Sequence, residues 1–172
     1  MALIRSLNGF TPTFGQEVFL AETAVVVGDV VMGDQCSIWY HAVLRGDVNS
    51  IRTGHRVNVQ DGAVLHCTYR KCGLTIGNDV SIGHNAIVHG CTVEDQVLIG
   101  MGAIVMDQAV IGTGSLIAAG AVVTQGTIVE AGSLMAGVPA RRVGPVGKAL
   151  AEGEIERIAR NYGLYASWYK QG

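Results

Sequence analysis

From Val93 onward the chain places an aliphatic side chain at every sixth position: Val93, Ile99, Val105, Ile111, Ile117, Val123, Val129 and Met135. Four residues after each come Val97, Ala103, Ala109, Ser115, Ala121, Thr127, Ser133 and Pro139, all small or compact. A period of six fits neither the ~3.6-residue turn of an α-helix nor the two-residue alternation of a strand. It fits the hexapeptide repeat of a parallel β-helix, in which three such segments make one triangular coil of about 18 residues. The aliphatic residue points into the prism and the small one fits the crowded interior beside it. The backbone pairs with the coils above and below at about 4.8 Å. No coil can bury its core alone, so stability comes from stacking. The chain has 24 glycines against 3 prolines, a composition suited to many short strands joined by tight corners.

The register extends backwards as the triplets Ile76/Ile82/Val88, Thr53/Val59/Leu65 and Met32/Ile38/Leu44. The steps between triplets are irregular: nine from Leu44 to Thr53, eleven from Leu65 to Ile76 and five from Val88 to Val93. Each follows a third hexapeptide, so every irregularity falls on one corner of the prism. The expected organisation is a single domain, 1–172, mainly β, with the β-helix over 10–140. After Met135 the stretch AGVPARRVGPVG reads as a turn leading away. Over 147–170 the pattern becomes helical: Leu150, Ile155, Ile158, Ala159, Tyr162, Tyr165, Trp168 and Tyr169 mostly follow spacings of three and four. This aromatic stripe is expected to pack on the side of the coil rather than to form a ligand site.

Several function classes fall away. Net charge is −2 with 15% charged residues, and neither a basic patch nor an acidic tract stands out, so no nucleic-acid partner is expected. No apolar run approaches the ~20 residues of a membrane span, so no membrane partner is expected. The opening MALIRSLNGF lacks the features of a secretory leader, and the expected location is cytoplasmic. Cys36, Cys67, Cys72 and Cys91 contain no C-x-x-C pair, which argues for reduced thiols and against a structural zinc knot. Gly100-Met101-Gly102 and Gly112-Thr113-Gly114 lack the third glycine of a dinucleotide fingerprint and fall on corners of the coil.

The repeat locates the histidines. His66 follows Leu65 and His89 follows Val88, so both are second residues of a third hexapeptide, one coil apart on one outer face. His84 lies two residues after Ile82, on the adjacent face. Tetrahedral zinc with bonds of about 2.0–2.1 Å needs ligand nitrogens about 3.3 Å apart, which imidazoles on adjacent coils can meet. One prism offers two ligands easily and the third poorly. A second prism alongside can bring its own His84, and three prisms about an axis close the arrangement into a homotrimer with three equivalent sites. The same register puts Arg45 in the His66/His89 column, Asp47 just beyond it, Asp61 below His84, and Asn58 and Gln60 nearby. Arg45 and the aspartates serve either the chemistry or intersubunit ion pairs. His41 and His55 lie outside the cluster.

Taken together, LRGD (44–47), NVQDGAVLH (58–66) and GHNAIVHG (83–90) resemble the gamma-class carbonic anhydrase family, and the resemblance covers nearly the whole chain. It implies the left-handed form of the parallel β-helix, with a C-terminal α-helix packed on the coil. His66 and His89 of one subunit and His84 of the next would be the metal ligands, for zinc or alternatively ferrous iron or cobalt. The implied reaction is reversible hydration of CO2 to bicarbonate by a metal-bound hydroxide at the trimer interface. Gln60 and Asn58 match catalytic polar residues that position water and substrate, Gln60 also binding substrate. Arg45 and Asp47 match an intersubunit salt bridge, and Asp61 an aspartate linked to those positions. The chain departs from the family at Val48, where the best-known active members carry a glutamate. It departs again in CTYRKCG (67–73), short and basic where they carry an acidic loop with a proton-shuttle glutamate. Weak hydratase activity is therefore expected. Two rival functions share the fold: an acyl-CoA thioesterase or acyltransferase, suggested by AGVPARRV, and a non-catalytic metal-binding protein. Those transferases typically use one catalytic histidine, so the three-histidine cluster favours the anhydrase.

Overall fold

The structure, a computed structural model, describes residues 1–169; Lys170, in the expected helix, lies outside the described residues. The six-residue period is realised as two- and three-residue strands that pair in parallel with the coil below and the coil above. Leu65 pairs with Val88 and Val88 with Val105. Val59 pairs with Ile82 and Ile82 with Ile99. Ile76 pairs with Val93 and Val93 with Ile111. The product is the expected left-handed β-helix. Each of these pairing columns points its aliphatic side chains inward, where Leu65, Val88, Val59, Ile82, Ile99, Val105 and Ile111 are all 0% exposed. Ala63, Ala86, Ala103 and Ala121 fill the narrow interior beside them.

The interruptions in the repeat sit together. Strand Val43–Thr53 absorbs the first as a register shift: Gly28 faces Gly46, but Val30 faces Ile51. The second is the loop 67–73, pinched by an antiparallel bridge between Thr68 and Cys72. Extra residues accumulate at one corner because a coil tolerates added length only where its backbone need not match both neighbours.

Two segments differ from expectation. Residues after Met135 do not lead away: Ser133–Gly137 turns through Val138 and Pro139 into Ala140–Pro145, which pairs back antiparallel. This covers one edge of the last coil, where an unpaired row of backbone groups would invite other strands. The C-terminal helix is also not uniform. It starts as Lys148–Leu150, widens into a π-helix over Ala151–Glu156 and continues as Arg157–Tyr169. The wider turn changes the phase of the stripe: Ile155 and Ile158 pack on Leu98, Leu116 and Leu134, while Leu150 at 37% and Trp168 at 58% stay exposed. Farther along, Tyr162 packs edge-on against Trp39 at 5.3 Å. Among the described residues no helix is long and apolar enough to cross a membrane.

Candidate metal centre

Parallel pairing puts His66 directly beneath His89. Their rings lie 5.0 Å apart between centroids, and His66 Nδ1 is 3.0 Å from His89 Nε2. The outer nitrogen of each ring is held by a carboxylate. His66 Nε2 donates to Asp47 Oδ1 at 3.0 Å, and His89 Nδ1 donates to Asp107 Oδ1 at 2.6 Å. With both outer nitrogens bonded to carboxylates, the inner nitrogens His66 Nδ1 and His89 Nε2 face each other, and as neutral imidazoles donating outward both would be acceptors there. Two acceptors so close repel unless a cation lies between them. A divalent ion resolves that conflict, and the separation is close to the ~3.3 Å of a tetrahedral site. A carboxylate on the far nitrogen is also the usual support for a metal-bound imidazole. The donor set fits such an ion.

His84 is built alike but elsewhere. Its Nδ1 donates to Asp61 Oδ2 at 2.9 Å, which leaves Nε2 3.3 Å from the Tyr162 hydroxyl. Among the described residues of one chain, no group of three or more His, Cys, Asp or Glu side chains is placed to hold a metal. The chain therefore brings His66 and His89 together and keeps His84 apart.

Electrostatics favour a neutral His66 ring. Burial is the largest influence on His66 and pushes its pKa down; the Asp47 bond opposes this, and the nearby Arg45 adds to the lowering. Burial raises the Asp47 carboxyl, but hydrogen bonds from Arg45 and His66 outweigh it and hold the group below its usual value. Asp107 is likewise raised by burial, and bonds from Thr68 and His89 bring it down to about 2.

Arg45 pairs with Asp47 inside one chain, at 2.5 Å, and is 45% exposed. Asp61 serves His84. Asn58 and Gln60 are buried at 2% and 4% exposure. Gln60 Nε2 donates to Asn58 Oδ1 at 3.0 Å, and Asn58 Nδ2 donates to Ser81 Oγ at 2.7 Å. This chain of bonds fixes the Gln60 amide beside His84, at one end of a cavity of about 570 Å³ between helix and prism. His55 Nδ1 accepts the Asp34 backbone N–H, and His41 occupies a corner with φ of 61°.

Two residues escaped the sequence reading. Tyr162 belonged to a stripe read as packing, yet its hydroxyl reaches His84 while its ring packs, because a tyrosine is apolar along its body and polar at its tip. Burial, then Asp61 and Tyr165, push its pKa up to about 12. Asp107 lies 18 residues after His89, and that one-coil interval was its only signal.

Comparison with known proteins gives concordant matches. A family model described as Bacterial transferase hexapeptide (six repeats) matches residues 90–125. A Methanocaldococcus jannaschii protein named "Probable carbonic anhydrase" is 55% identical over 146 residues, covering 85% of this chain and 89% of that protein. A carbonic anhydrase of Geobacillus kaustophilus is 42% identical over 171 residues, covering 98% of this chain and 91% of that one. Among solved structures, a hexapeptide transferase family protein from Anaplasma phagocytophilum superposes with a TM-score of 0.92 at 38% identity, covering 97% of this chain and 98% of that one.

Proposed function

The chain belongs to the gamma-class carbonic anhydrase-like family of hexapeptide-repeat proteins, and from that premise we propose that it catalyses reversible hydration of carbon dioxide at a metal site shared between subunits of a homotrimer. The observation that carries this reading is the facing pair of His66 Nδ1 and His89 Nε2, each imidazole oriented by its own carboxylate. His66 and His89 of one copy and His84 of the next would hold the ion. Beside the histidine column runs an outward ladder of Val43, Val64, Ile87, Ile104 and Val122, with Ile87 38% exposed and Met106, next above His89 in the histidine column, 40% exposed. An aliphatic sheet face next to an incomplete ligand set favours association between copies.

Zinc, or alternatively ferrous iron or cobalt, would supply Lewis acidity and bring the pKa of water to about 7. Gln60 presents its amide where substrate oxygen would sit, and Asn58 and Ser81 keep that amide from rotating. Tyr162, neutral at working pH, can donate a hydrogen bond beside His84. Val48 and the basic loop 67–73 offer no carboxylate to carry the released proton, so the proton passes to buffer and turnover is low and buffer-dependent. The four free thiols suit a reducing, cytoplasmic setting.

Stopped-flow hydration with metal-loaded protein tests the reading. Metal-dependent catalysis that His89→Ala abolishes supports it; a loaded protein with no hydration in any buffer refutes it. One observation favours a second reading, thioester hydrolysis or acyl transfer. The cavity beside Gln60 and His84 is far larger than carbon dioxide and is floored by Leu98, Leu116 and Met101, a shape and chemistry suited to an acyl chain. Release of free coenzyme A from a thioester panel would favour it.

A further inference from the structure

Asp107 is the least anticipated member of the site, and its surroundings are built around it. It is two coils above Thr68, yet the Thr68 hydroxyl donates to Asp107 Oδ2 at 2.7 Å, while Asp107 Oδ1 takes the His89 Nδ1–H at 2.6 Å. Lys71 Nζ lies 3.6 Å from Oδ2. The loop 67–73 thus climbs past the His89 coil to grip a carboxylate on the coil above. Gly90 makes room for this. A Cβ there would sit 2.7 Å from Asp107 Oδ1 and 2.6 Å from Cys72 Sγ, on a backbone with φ of +51°. The loop, the glycine after His89 and the carboxylate close on one imidazole nitrogen.

Resting on the metal-site reading above, we propose that Asp107 is the positioning residue of His89, and that the loop 67–73 anchors it through Thr68 and Lys71. Asp107 touches neither substrate nor ion. It holds the proton on His89 Nδ1, so that the Nε2 lone pair faces His66, and it fixes the ring plane. This assigns the short basic loop a role other than proton transfer: it keeps a second carboxylate from drifting off a ligand. Outer partners of this kind typically contribute about 10–100-fold to metal affinity.

The test uses the full-length assembled protein and cobalt(II) alone, followed by visible absorption under chelator competition. Nitrogen NMR of histidine-labelled, metal-free protein reads the His89 tautomer. Asp107→Ala should weaken cobalt binding about 10–100-fold and move the His89 proton from Nδ1 toward Nε2, a change that loss of packing alone would not cause. Asp107→Glu should recover part of both. Thr68→Val, which leaves the carboxylate in place, should weaken cobalt binding in the same direction by less, and it keeps the test open if Asp107→Ala assembles poorly. Unchanged affinity and an unchanged tautomer in Asp107→Ala would overturn the inference while leaving the metal site standing. A wild-type protein that binds no cobalt would overturn the metal-site reading and this inference with it.

Discussion

Ile111→Ala should be strongly destabilising, whereas the same replacement at Ile128 should be nearly silent. Ile111 is 0% exposed and stacks between Val93 and Val129 in the prism; Ile128 points outward and is 68% exposed. Removing three carbon groups from Ile111 forfeits about 2.4 kcal/mol of transfer energy at about 0.8 kcal/mol each. A cavity term of about 1–2 kcal/mol adds to this, because coils held at a fixed ladder spacing cannot collapse into the void. The sum is about 4 kcal/mol, equivalent to a fall in Tm of about 8–16 °C for a chain of this size. Ile128→Ala should stay within about 0.5 kcal/mol. Thermal unfolding at one fixed protein concentration reads both, since an assembled protein has a concentration-dependent Tm. A loss under about 1 kcal/mol at Ile111, or equal losses at both positions, would refute the inward–outward assignment on which every site residue is placed.

Further outcomes follow from the same geometry. Ile104→Asp puts a charge in the aliphatic ladder beside the histidines and should shift the proposed trimer to monomer in sedimentation, with metal binding lost as a consequence. Gly90→Ala should cost at least the ~1–2 kcal/mol of left-handed backbone and should also displace Asp107 and Cys72, read as a lower unfolding midpoint together with weaker metal retention. Burial pushes the Cys67 and Cys91 thiols up to about 12. Iodoacetamide at pH 8 should therefore label half-buried Cys72 in the native protein and spare those two, as mass spectrometry would show. Asp107 titrates at about 2 when folded, below its ordinary 3.8, so its stabilising contribution is complete above about pH 4 and disappears as the pH falls toward 2. In metal-free protein Asp107→Asn should flatten that part of an acid-unfolding curve, measured by circular dichroism.

Much of this architecture was legible in the residues because a β-helix writes its inner face into the chain at a fixed interval. Val93, Ile99 and Val105 declare three walls in succession, and the same interval aligned His66 with His89 and Asp61 with His84. What the period could not reveal is whatever leaves it. Asp107 meets His89 from the coil above and is gripped there by the loop 67–73, which bends upward, and loop direction has no periodic signature. Tyr162 sits on a helix whose stripe announces burial but not where a hydroxyl will point. The π-helix at Ala151–Glu156 changes the phase of that helix, so Leu150 leaves the stripe its spacing had assigned it. The return strand Ala140–Pro145 was obscured by the two prolines and three glycines of AGVPARRVGPVG, a composition that reads as turn, and its pairing was decided by the open edge of the last coil.

The most direct test of a shared site is complementation between two inactive chains. His84→Ala keeps the His66/His89 pair, and the double variant His66→Ala with His89→Ala keeps His84; neither alone can complete a site built across two copies. Unfolded together in equal amounts and refolded, the two should form mixed trimers in which about one quarter of interfaces hold a full set. Metal binding and carbon dioxide hydration should return to about that fraction of wild type. Mixed trimers verified by native mass spectrometry that regain neither, or a His84→Ala protein that binds metal and turns over unaided, would contradict the account.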